Sequence, residues 1–590
     1  MISPLSSRRF VIGAAVVLTA VVFVCRLFVI QVVDDTYIGL ADDNSRRFVT
    51  IYPSRGLILD RKGREIVTNA ASYDLMVTPR QTRGGFDTTV LCSILQIDTL
   101  QVEERMTAAK RYSWYKASAF YKQMSSEMYA VLQEQMHKLP GFYVQARTVR
   151  QYTRPIAPHL LGYVSEVNQS TIDSNPYYKM GDYIGVSGLE KAYEERLRGK
   201  KGNKIFLVDV HNVIKGPFEQ GRFDSIAYPG ENLTCTIDME LQEYGETLMQ
   251  RMRGSIVAIE PATGEILAMV SVPMYDPNML VGKARSQNYQ KLQEDARKPL
   301  LNRATNAIYP PGSTFKPLQA LVCLQEGGIT EFTPFPCSGP SSVPIKCTHH
   351  HGSPVTLLNA IEQSCNPYFW HAFRSTLERS GSFKDNYNTW REDVLSFGYG
   401  TRLETDIPGI LMGNIPTEAF FDRIYGPTGW RAMTIRSLSI GQGEISATPL
   451  QMANLAAIIA NRGFYYPPHI VRTEEYNHRI ESHVRAAHFN TVVEGLYRVT
   501  TAGTGRHYPV AGGSITWCGK TGTAQNAGND HALFIAFAPK DNPQIAISVV
   551  VENAGFGATW AVPIASLMIE KYLTGNISNP ALERKMIEFK

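Results

Sequence analysis

The segment Tyr309-Pro310-Pro311-Gly312-Ser313-Thr314-Phe315-Lys316-Pro317 sets a hydroxyl and an amine three residues apart. Pro317 is tolerated only in the first turn of a helix, where amide hydrogens have no intrahelical partner, so a helix is predicted to begin at about Ser313. Lys316 then lies on the same face one turn later, within reach of the Ser313 hydroxyl. A serine becomes a nucleophile when a neighbouring base takes its proton, and a lysine can be that base once burial or a second cation has lowered its pKa. The free N–H groups at the helix start sit where an oxyanion would form on an attacked carbonyl. These residues point to acyl transfer through an ester on Ser313.

A serine and a lysine at this spacing recur by chance, and Ser113-Trp114-Tyr115-Lys116 repeats them without a Pro-Gly approach. Two later segments distinguish Ser313. Ser364-Cys365-Asn366 offers a hydroxyl for proton relay and an amide to hold a peptide bond, after a helical stretch at 356–363. Another Ser-x-Asn, Ser286 to Asn288, precedes the nucleophile. Lys520-Thr521-Gly522-Thr523 comes after a strand-like run at 514–518 and holds the chain's one Lys-Thr-Gly. A strand edge there can pair with an extended peptide, with Gly522 allowing close approach and Lys520, Thr521 and Thr523 meeting a carboxylate.

Those groups need a scaffold, and the flanking sequence supplies one. Residues 255–260 and 266–272 read as strands around Pro261-Ala262-Thr263-Gly264, and residues 533–538 and 545–551 repeat the pattern. Helical stretches at 318–325, 356–363 and 448–460 lie between the hairpins. Strands at both ends with helices between them predict an α+β domain with one antiparallel sheet. This domain is expected over 233–575, beginning after Pro229-Gly230-Glu231-Asn232 with a strand at 233–237 and a helix at 238–251, and ending before a tail at 576–590. Residues 34–232 read as an elongated, non-catalytic pedestal with a strand-like run at 73–79, a polar helical stretch at 103–138, and a corner at 55–63 held by Arg and Asp pairing.

Residues 10–33 are nearly all apolar, broken only by Arg26 and preceded by Arg8 and Arg9. That length crosses a hydrocarbon core of about 30 Å, and the two arginines place residues 1–9 on the cytoplasmic side. No second run of spanning length occurs, so the expectation is a single-pass anchor with everything after it extracytoplasmic. A net charge of +5 spread over 590 residues without basic stripes argues against nucleic acid.

Three of the eight cysteines cluster. Cys337, Cys347, Cys365 and one of His349, His350 and His351, with His351 preferred, can supply a closed structural zinc site bracing the loop of Ser364 and Asn366. The alternative is a Cys337–Cys347 disulfide beside solvated histidines. The serine chemistry itself requires no cofactor.

The ordered set Ser-x-x-Lys, Ser-x-Asn and Lys-Thr-Gly is that of penicillin-binding proteins and class A β-lactamases. Along nearly its whole length the chain resembles a class B penicillin-binding protein, in residues 55–63, Gly188-Leu189-Glu190, residues 262–269, Gly441-Gln442-Gly443-Glu444 and Thr448-Pro449-Leu450-Gln451. The context of Ser313 and the Gly-Gln-Gly segment look more like the elongation type, penicillin-binding protein 2, than the division type.

The resemblance implies a peptidoglycan D,D-transpeptidase and β-lactam target, with a transpeptidase domain of serine β-lactamase-like fold. Ser313 would attack the penultimate D-alanine of a stem peptide, Lys316 would be general base, Ser364 a proton relay, and Asn366 would orient the donor amide. Lys520, Thr521 and Thr523 would bind the terminal carboxylate, and the N–H groups of Ser313 and Thr523 the oxyanion. It also implies that the anchor's membrane is a bacterial cytoplasmic (inner) one, and it implies a membrane-embedded glycosyltransferase partner of the shape, elongation, division and sporulation (SEDS) type. Some relatives hold zinc in this region through carboxylate, His and Cys ligands, and this chain departs by offering thiols. A β-lactamase or β-lactam sensor, and a catalytically dead scaffold, are the competing readings.

Overall fold

The computed structural model describes residues 4–30, 45–209 and 214–589. Helix α1 (Pro4–Phe28) contains the apolar stretch Phe10–Phe28, 19 residues of mean hydropathy 2.5, none of it buried against protein. At about 1.5 Å rise per residue it is long enough to span a bilayer core, and it fits a single-pass membrane anchor. The expected anchor at 10–33 and tail at 1–9 extend into residues 31–33 and 1–3, which lie outside the described residues.

The chain forms two compact units that interleave along the sequence. One comprises Met1–Gly56, Asn69–Val149 and Arg198–Glu231; the other comprises Leu57–Thr68, Arg150–Leu197 and Asn232–Lys590. In the first unit, helices Thr99–Tyr112 and Ser126–Gln135 flank a strand, Ser118–Met124. The helical stretch expected at 103–138 is therefore interrupted. Ser113 closes the first helix, and the residues after it alternate Phe120 inward and Tyr121 outward in the manner of a strand. Leu91, Val102, Met106, Phe120 and Leu132 form the core here.

The second unit is built on a five-stranded antiparallel sheet of β1 (Gly254–Ile259), β2 (Ile266–Val272), β3 (Cys518–Ala524), β4 (His531–Ala538) and β5 (Ile545–Val551), in spatial order β2-β1-β5-β4-β3. The mixed α+β class with one antiparallel sheet holds. β1, β2, β4 and β5 are buried along nearly their whole length because helices cover both faces. Ile256 and Ala258 point into one core with helices α2 (Met239–Met249) and α9 (Gly557–Thr574). Their neighbours Val257 and Ile259 point into the other, the two-residue alternation of a strand.

That second core holds the helices that carry the chemistry: α3 (Arg303–Asn306), α4 (Lys316–Gln325), α5 (Leu357–Glu362), α6 (Asn366–Leu377), α7 (Pro449–Ala460) and α8 (Ala487–Thr501). Helix α7 is buried throughout and begins with a capping box between Thr448 and Gln451.

Three expectations shift. The strand expected at 233–237 is only Leu233–Thr234, because the backbone then turns to residues 470–471: Thr236 donates its N–H to Ile470 O at 2.7 Å and its hydroxyl to Ile266 O at 2.7 Å. The run at 514–518 leads into the strand rather than forming it, since Lys-Thr-Gly lies within β3 itself. The stretch read as a tail carries a helix, Pro580–Ile587, whose Met586 is buried in the core beside α2 and α9.

The expected corner at 55–63 turns on Asp60. Its fully buried carboxylate accepts from the backbone N–H groups of Lys62 and Arg64 at 2.9 and 2.8 Å and from Arg64 Nε at 2.8 Å. Desolvation alone would raise its pKa, but the Arg64 side chain and these amides outweigh burial and hold it below the usual carboxylate value. Arg61 reaches Glu265 and the Tyr572 hydroxyl, at 3.2 and 3.0 Å, which fastens Leu57–Thr68 to the sheet unit.

Candidate active site

Ser313 sits in a 3₁₀ turn, Gly312–Phe315, which runs directly into α4 at Lys316. The α-helix thus starts three residues later than expected, and Pro317 occupies its first turn. In a 3₁₀ turn side chains three apart eclipse, which places Ser313 and Lys316 on one side.

Two anchors fix this turn. On its approach, the Tyr309 hydroxyl donates to Glu552 Oε1 at 2.8 Å, and the same carboxylate takes Arg303 Nε at 3.0 Å and Arg253 Nε at 3.2 Å. At the turn itself Gly312, at φ +54°, donates its N–H to Gly441 O at 2.8 Å, and a Cβ at Gly312 would lie 2.4 Å from Thr523 O. Only glycine permits that approach. The nucleophile turn therefore rests on the end of β3. Gln442 completes the contact by donating Nε2–H to Thr523 O at 3.0 Å.

Gly522 has a related role. A Cβ there would meet Thr314 Cγ2 at 2.6 Å, so the close approach that requires glycine is made by the nucleophile turn. β3 is the outer strand of the sheet and pairs only with β4, with Lys520 opposite Ile535 and Thr521 opposite Phe534. Its free edge can accept an extended chain. Thr521 Oγ1 lies 2.7 Å from Thr504 Oγ1, and Thr523 is half-buried.

The second motif is at the junction of α5 and α6. Ser364 holds φ +55°, a conformation uncommon for a residue with a side chain and often found at functional positions. Lys316 Nζ donates to Ser364 O at 2.8 Å, contacts Ser364 Oγ at 3.1 Å and donates to Asn366 Oδ1 at 2.6 Å. Lys520 Nζ lies 2.9 Å from the same Ser364 Oγ and 3.0 Å from Thr521 O. Ser313 Oγ is not among the hydrogen-bond partners of Lys316 here, and catalytic contacts commonly tighten only when substrate binds. Asn366 Nδ2 is engaged by Lys346 O at 3.0 Å, so holding a substrate amide requires exchanging that contact.

Both amines are fully buried. Desolvation lowers Lys316 to about 8, against which only nearby thiols pull upward. Desolvation likewise brings Lys520 well below the usual lysine value, and the neighbouring Lys316 cation pushes it further. The arrangement supplies a poised base, a hydroxyl relay between two amines, and backbone donors beside a half-buried serine.

The competing pair is excluded by its geometry. Ser113 caps the end of its helix, and its hydroxyl accepts from the Tyr115 and Lys116 N–H groups at 3.2 and 3.0 Å. Lys116 is exposed.

Cys337, Cys347, His351 and Cys365 come together, their ligand atoms all within 4.8 Å of one another, and all eight cysteines are free thiols. The alternative Cys337–Cys347 disulfide is not formed. His351 Nε2 lies 3.6 Å from Cys337 Sγ and 3.4 Å from Cys347 Sγ. A tetrahedral ion with bonds of about 2.3 Å to sulfur and about 2.0–2.1 Å to nitrogen would separate such atoms by roughly 3.5 Å. His351 Nδ1 lies 3.1 Å from Gly352 O, a contact that keeps the proton on Nδ1 and presents Nε2 as a ligand. Dimensions, donor set and tautomer all fit a metal ion.

Sequence reasoning missed Thr504, whose Gly-rich loop carries no motif, and the structural role of Thr314. Gln442 was legible only through the resemblance of its Gly-Gln-Gly segment.

A family model described as the penicillin-binding protein transpeptidase domain matches residues 254–570, and one for the penicillin-binding protein dimerisation domain matches residues 50–235. The peptidoglycan D,D-transpeptidase MrdA of Haemophilus influenzae is 29% identical, over 98% of this chain and 93% of its own length. Penicillin-binding protein 2 of Helicobacter pylori, solved in complex with MreC, is 26% identical with a TM-score of 0.74, covering 90% of this chain and 100% of that one. A chain from a solved peptidoglycan synthase complex that coordinates polymerization and crosslinking is 26% identical with a TM-score of 0.69, covering 97% and 99%.

Proposed function

Since this chain belongs to the class B penicillin-binding proteins of the penicillin-binding protein 2 type, we propose that it is a peptidoglycan D,D-transpeptidase that cross-links stem peptides during cell elongation. The observation that carries the reading is the Ser313 turn seated on the Lys-Thr-Gly-Thr edge strand, with Lys316 and Lys520 both reaching Ser364.

The donor peptide lies along the edge of β3, its terminal carboxylate at Lys520, Thr521 and Thr523. Neutral Lys316 takes the Ser313 proton as Oγ attacks the penultimate D-alanine carbonyl, and the N–H groups of Ser313 and Thr523 receive the oxyanion. As the carbon–nitrogen bond breaks, a proton passes through Ser364 to the departing D-alanine amine. An amine from a neighbouring strand then attacks the ester, its proton is taken up by the same relay, and Ser313 regains its hydrogen. Asn366 holds the donor amide after releasing Lys346 O.

We assign zinc to the Cys337, Cys347, His351 and Cys365 set, since three thiols and an imidazole are soft donors suited to it. The ion would be structural, bracing the loop of Ser364 and Asn366 without entering the reaction.

The apolar α1 supports placement as a single-pass protein with its catalytic unit in the periplasm. We infer that strand polymerisation falls to a partner, a membrane glycosyltransferase of the SEDS type; the synthase complex among the structural relatives supports that inference.

A labelled penicillin should acylate the wild-type chain and leave Ser313→Ala unlabelled. Label surviving on Ser313→Ala, or found on Ser113, overturns the assignment. Rapid turnover of the acyl-enzyme would indicate a β-lactamase instead, and absence of acylation a scaffold.

A further inference from the structure

The unit that carries the active site also holds a cleft of about 400 Å³ lined by none of Ser313, Lys316, Ser364, Asn366 and Lys520. Small-ligand sites range over about 300–1,000 Å³. One wall is aromatic. Tyr163 and Tyr289 stand 6.3 Å apart between ring centroids, and Tyr275 is met edge-on by His159 at 5.4 Å. Leu280, Leu292 and Met279 pack behind these rings and hold them in place.

The floor is α3. Its polar groups are already used: Asn306 Nδ2 donates to Gly409 O at 2.7 Å, Thr305 Oγ1 donates to Asn306 Oδ1 at 2.7 Å, and Asn302 Oδ1 accepts from Ala304 N at 3.1 Å. The rim differs. Among the described residues, the hydroxyls of Tyr163, Tyr275, Tyr289 and Ser187 and the ammonium of Lys191 make no hydrogen bond or ion pair. The lining holds no carboxylate, and burial keeps His159 neutral, so Lys191 is its one cation.

A lipid tail would leave the hydroxyls unsatisfied, and a phosphate group would ask for more than one cation. Aromatic faces, dispersed hydroxyls and one lysine match a pyranose ring whose apolar face lies on tyrosine and whose acid group meets the lysine. We propose that this cleft binds a carboxylate-bearing N-acetylated amino sugar of a peptidoglycan glycan strand. The identity of the polymer rests on the transpeptidase reading above.

The position gives such a site a use. Helix α3 also carries Arg303, which shares the Glu552 carboxylate with Tyr309 on the approach to Ser313. A strand gripped on α3 is thereby held at a fixed offset from the nucleophile, so that its pendant peptides arrive in register.

The test is calorimetric titration of the detergent-solubilised full chain with a stem-free tetrasaccharide of alternating N-acetylglucosamine and N-acetylmuramic acid, whose lactyl carboxylates are free. The exposed Lys191→Ala and the wall variant Tyr289→Ala should each weaken binding about tenfold or more. A neutral N-acetylglucosamine tetrasaccharide should bind the wild type about tenfold more weakly and be indifferent to Lys191→Ala. Both variants should take labelled penicillin at the wild-type rate, which reports an intact fold. Absence of binding to the wild type, equal affinity in wild type and both variants, or a neutral sugar that binds as tightly as the acidic one overturns the proposal. Failure of penicillin to label the wild type would remove the transpeptidase reading, while the titration would still decide what the cleft binds.

Discussion

Lys316 and Lys520 meet across one oxygen: Ser364 Oγ lies 3.1 Å from the first amine and 2.9 Å from the second. Two ammonium groups cannot both stay charged in so buried a place, where each desolvation costs several kcal/mol and each cation disfavours the other. Lys520 feels both burial and its neighbour's charge and is the first of the pair to give up its proton, while Lys316, lowered to about 8, is left within reach of deprotonation near physiological pH, as a lysine base requires.

The pH profile of acylation is set by this pair. Lys316 is lowered to about 8, so the neutral, active form predominates above that value and is lost below it. The second-order rate constant for penicillin acylation should rise about tenfold per pH unit below pH 8 and level off above. Lys316→Arg, which cannot deprotonate, should lose about 10²–10⁴ at every pH. Stopped-flow labelling from pH 6 to 10 reads both, and a flat wild-type profile would remove Lys316 from the role of base.

Gly522→Ala should damage the nucleophile turn rather than the substrate groove. The added methyl meets Thr314 Cγ2 at 2.6 Å, an overpacking that costs about 1–3 kcal/mol. We expect lower thermal stability and acylation slowed about tenfold or more. Thr314→Ser removes that methyl while keeping the hydroxyl bonded to Pro311 O, and should restore much of both in the double variant. Additive losses in the cycle would show that the two residues do not clash.

Gln442→Ala should slow acylation with little change in folding. It frees the Thr523 carbonyl, whose restraint through one hydrogen bond is worth about 0.5–1.5 kcal/mol. Circular dichroism melting beside labelling rates separates the two effects. A large fall in melting temperature at unchanged rate would assign Gln442 to the fold alone.

Elemental analysis of the native chain should find one zinc per molecule, absent from Cys337→Ser and from Cys365→Ser. Metal removal with a chelator should lower the melting temperature and slow acylation by loosening the Ser364 loop. Native protein without zinc contradicts the assignment.

Asp60→Asn should destabilise the catalytic unit by about 1.5–3 kcal/mol, since it weakens charge-assisted bonds to Arg64 and two amides. Asp60 has a lower pKa folded than unfolded, so its stabilisation is present above the usual carboxylate pKa near 3.8 and disappears as acid titrates the folded group. Urea melts at pH 7 and at pH 3 should show the variant's deficit shrinking at the lower pH. A deficit that grows there would reverse the assigned sign.

What the sequence made legible was local and periodic. Pro317 marked the start of α4 because a ring nitrogen has no hydrogen to give, and short apolar runs bounded by turn residues marked β1, β2, β4 and β5. The position of Lys-Thr-Gly inside β3 was missed because two glycines, Gly519 and Gly522, hide a strand's pattern. The 3₁₀ turn at Ser313 could not be read from spacing, since it depends on Gly441 and Thr523 packing against Gly312 from distant parts of the chain. Asn366 was legible as a site residue, but its contact with Lys346 O was not.

The pairing of Gly254 in β1 with Val551 in β5 has a consequence for how the enzyme is made. The middle of its sheet joins a strand synthesised early in the catalytic unit to one synthesised near its end. Such long loop closures are slow, and a chain emerging from synthesis must keep β1 and its apolar neighbours unpaired until the last strands arrive. Newborn molecules are thus obliged to pass through an interval as sticky, inactive chains, and the abundance of working enzyme depends on how well the cell shelters them during it.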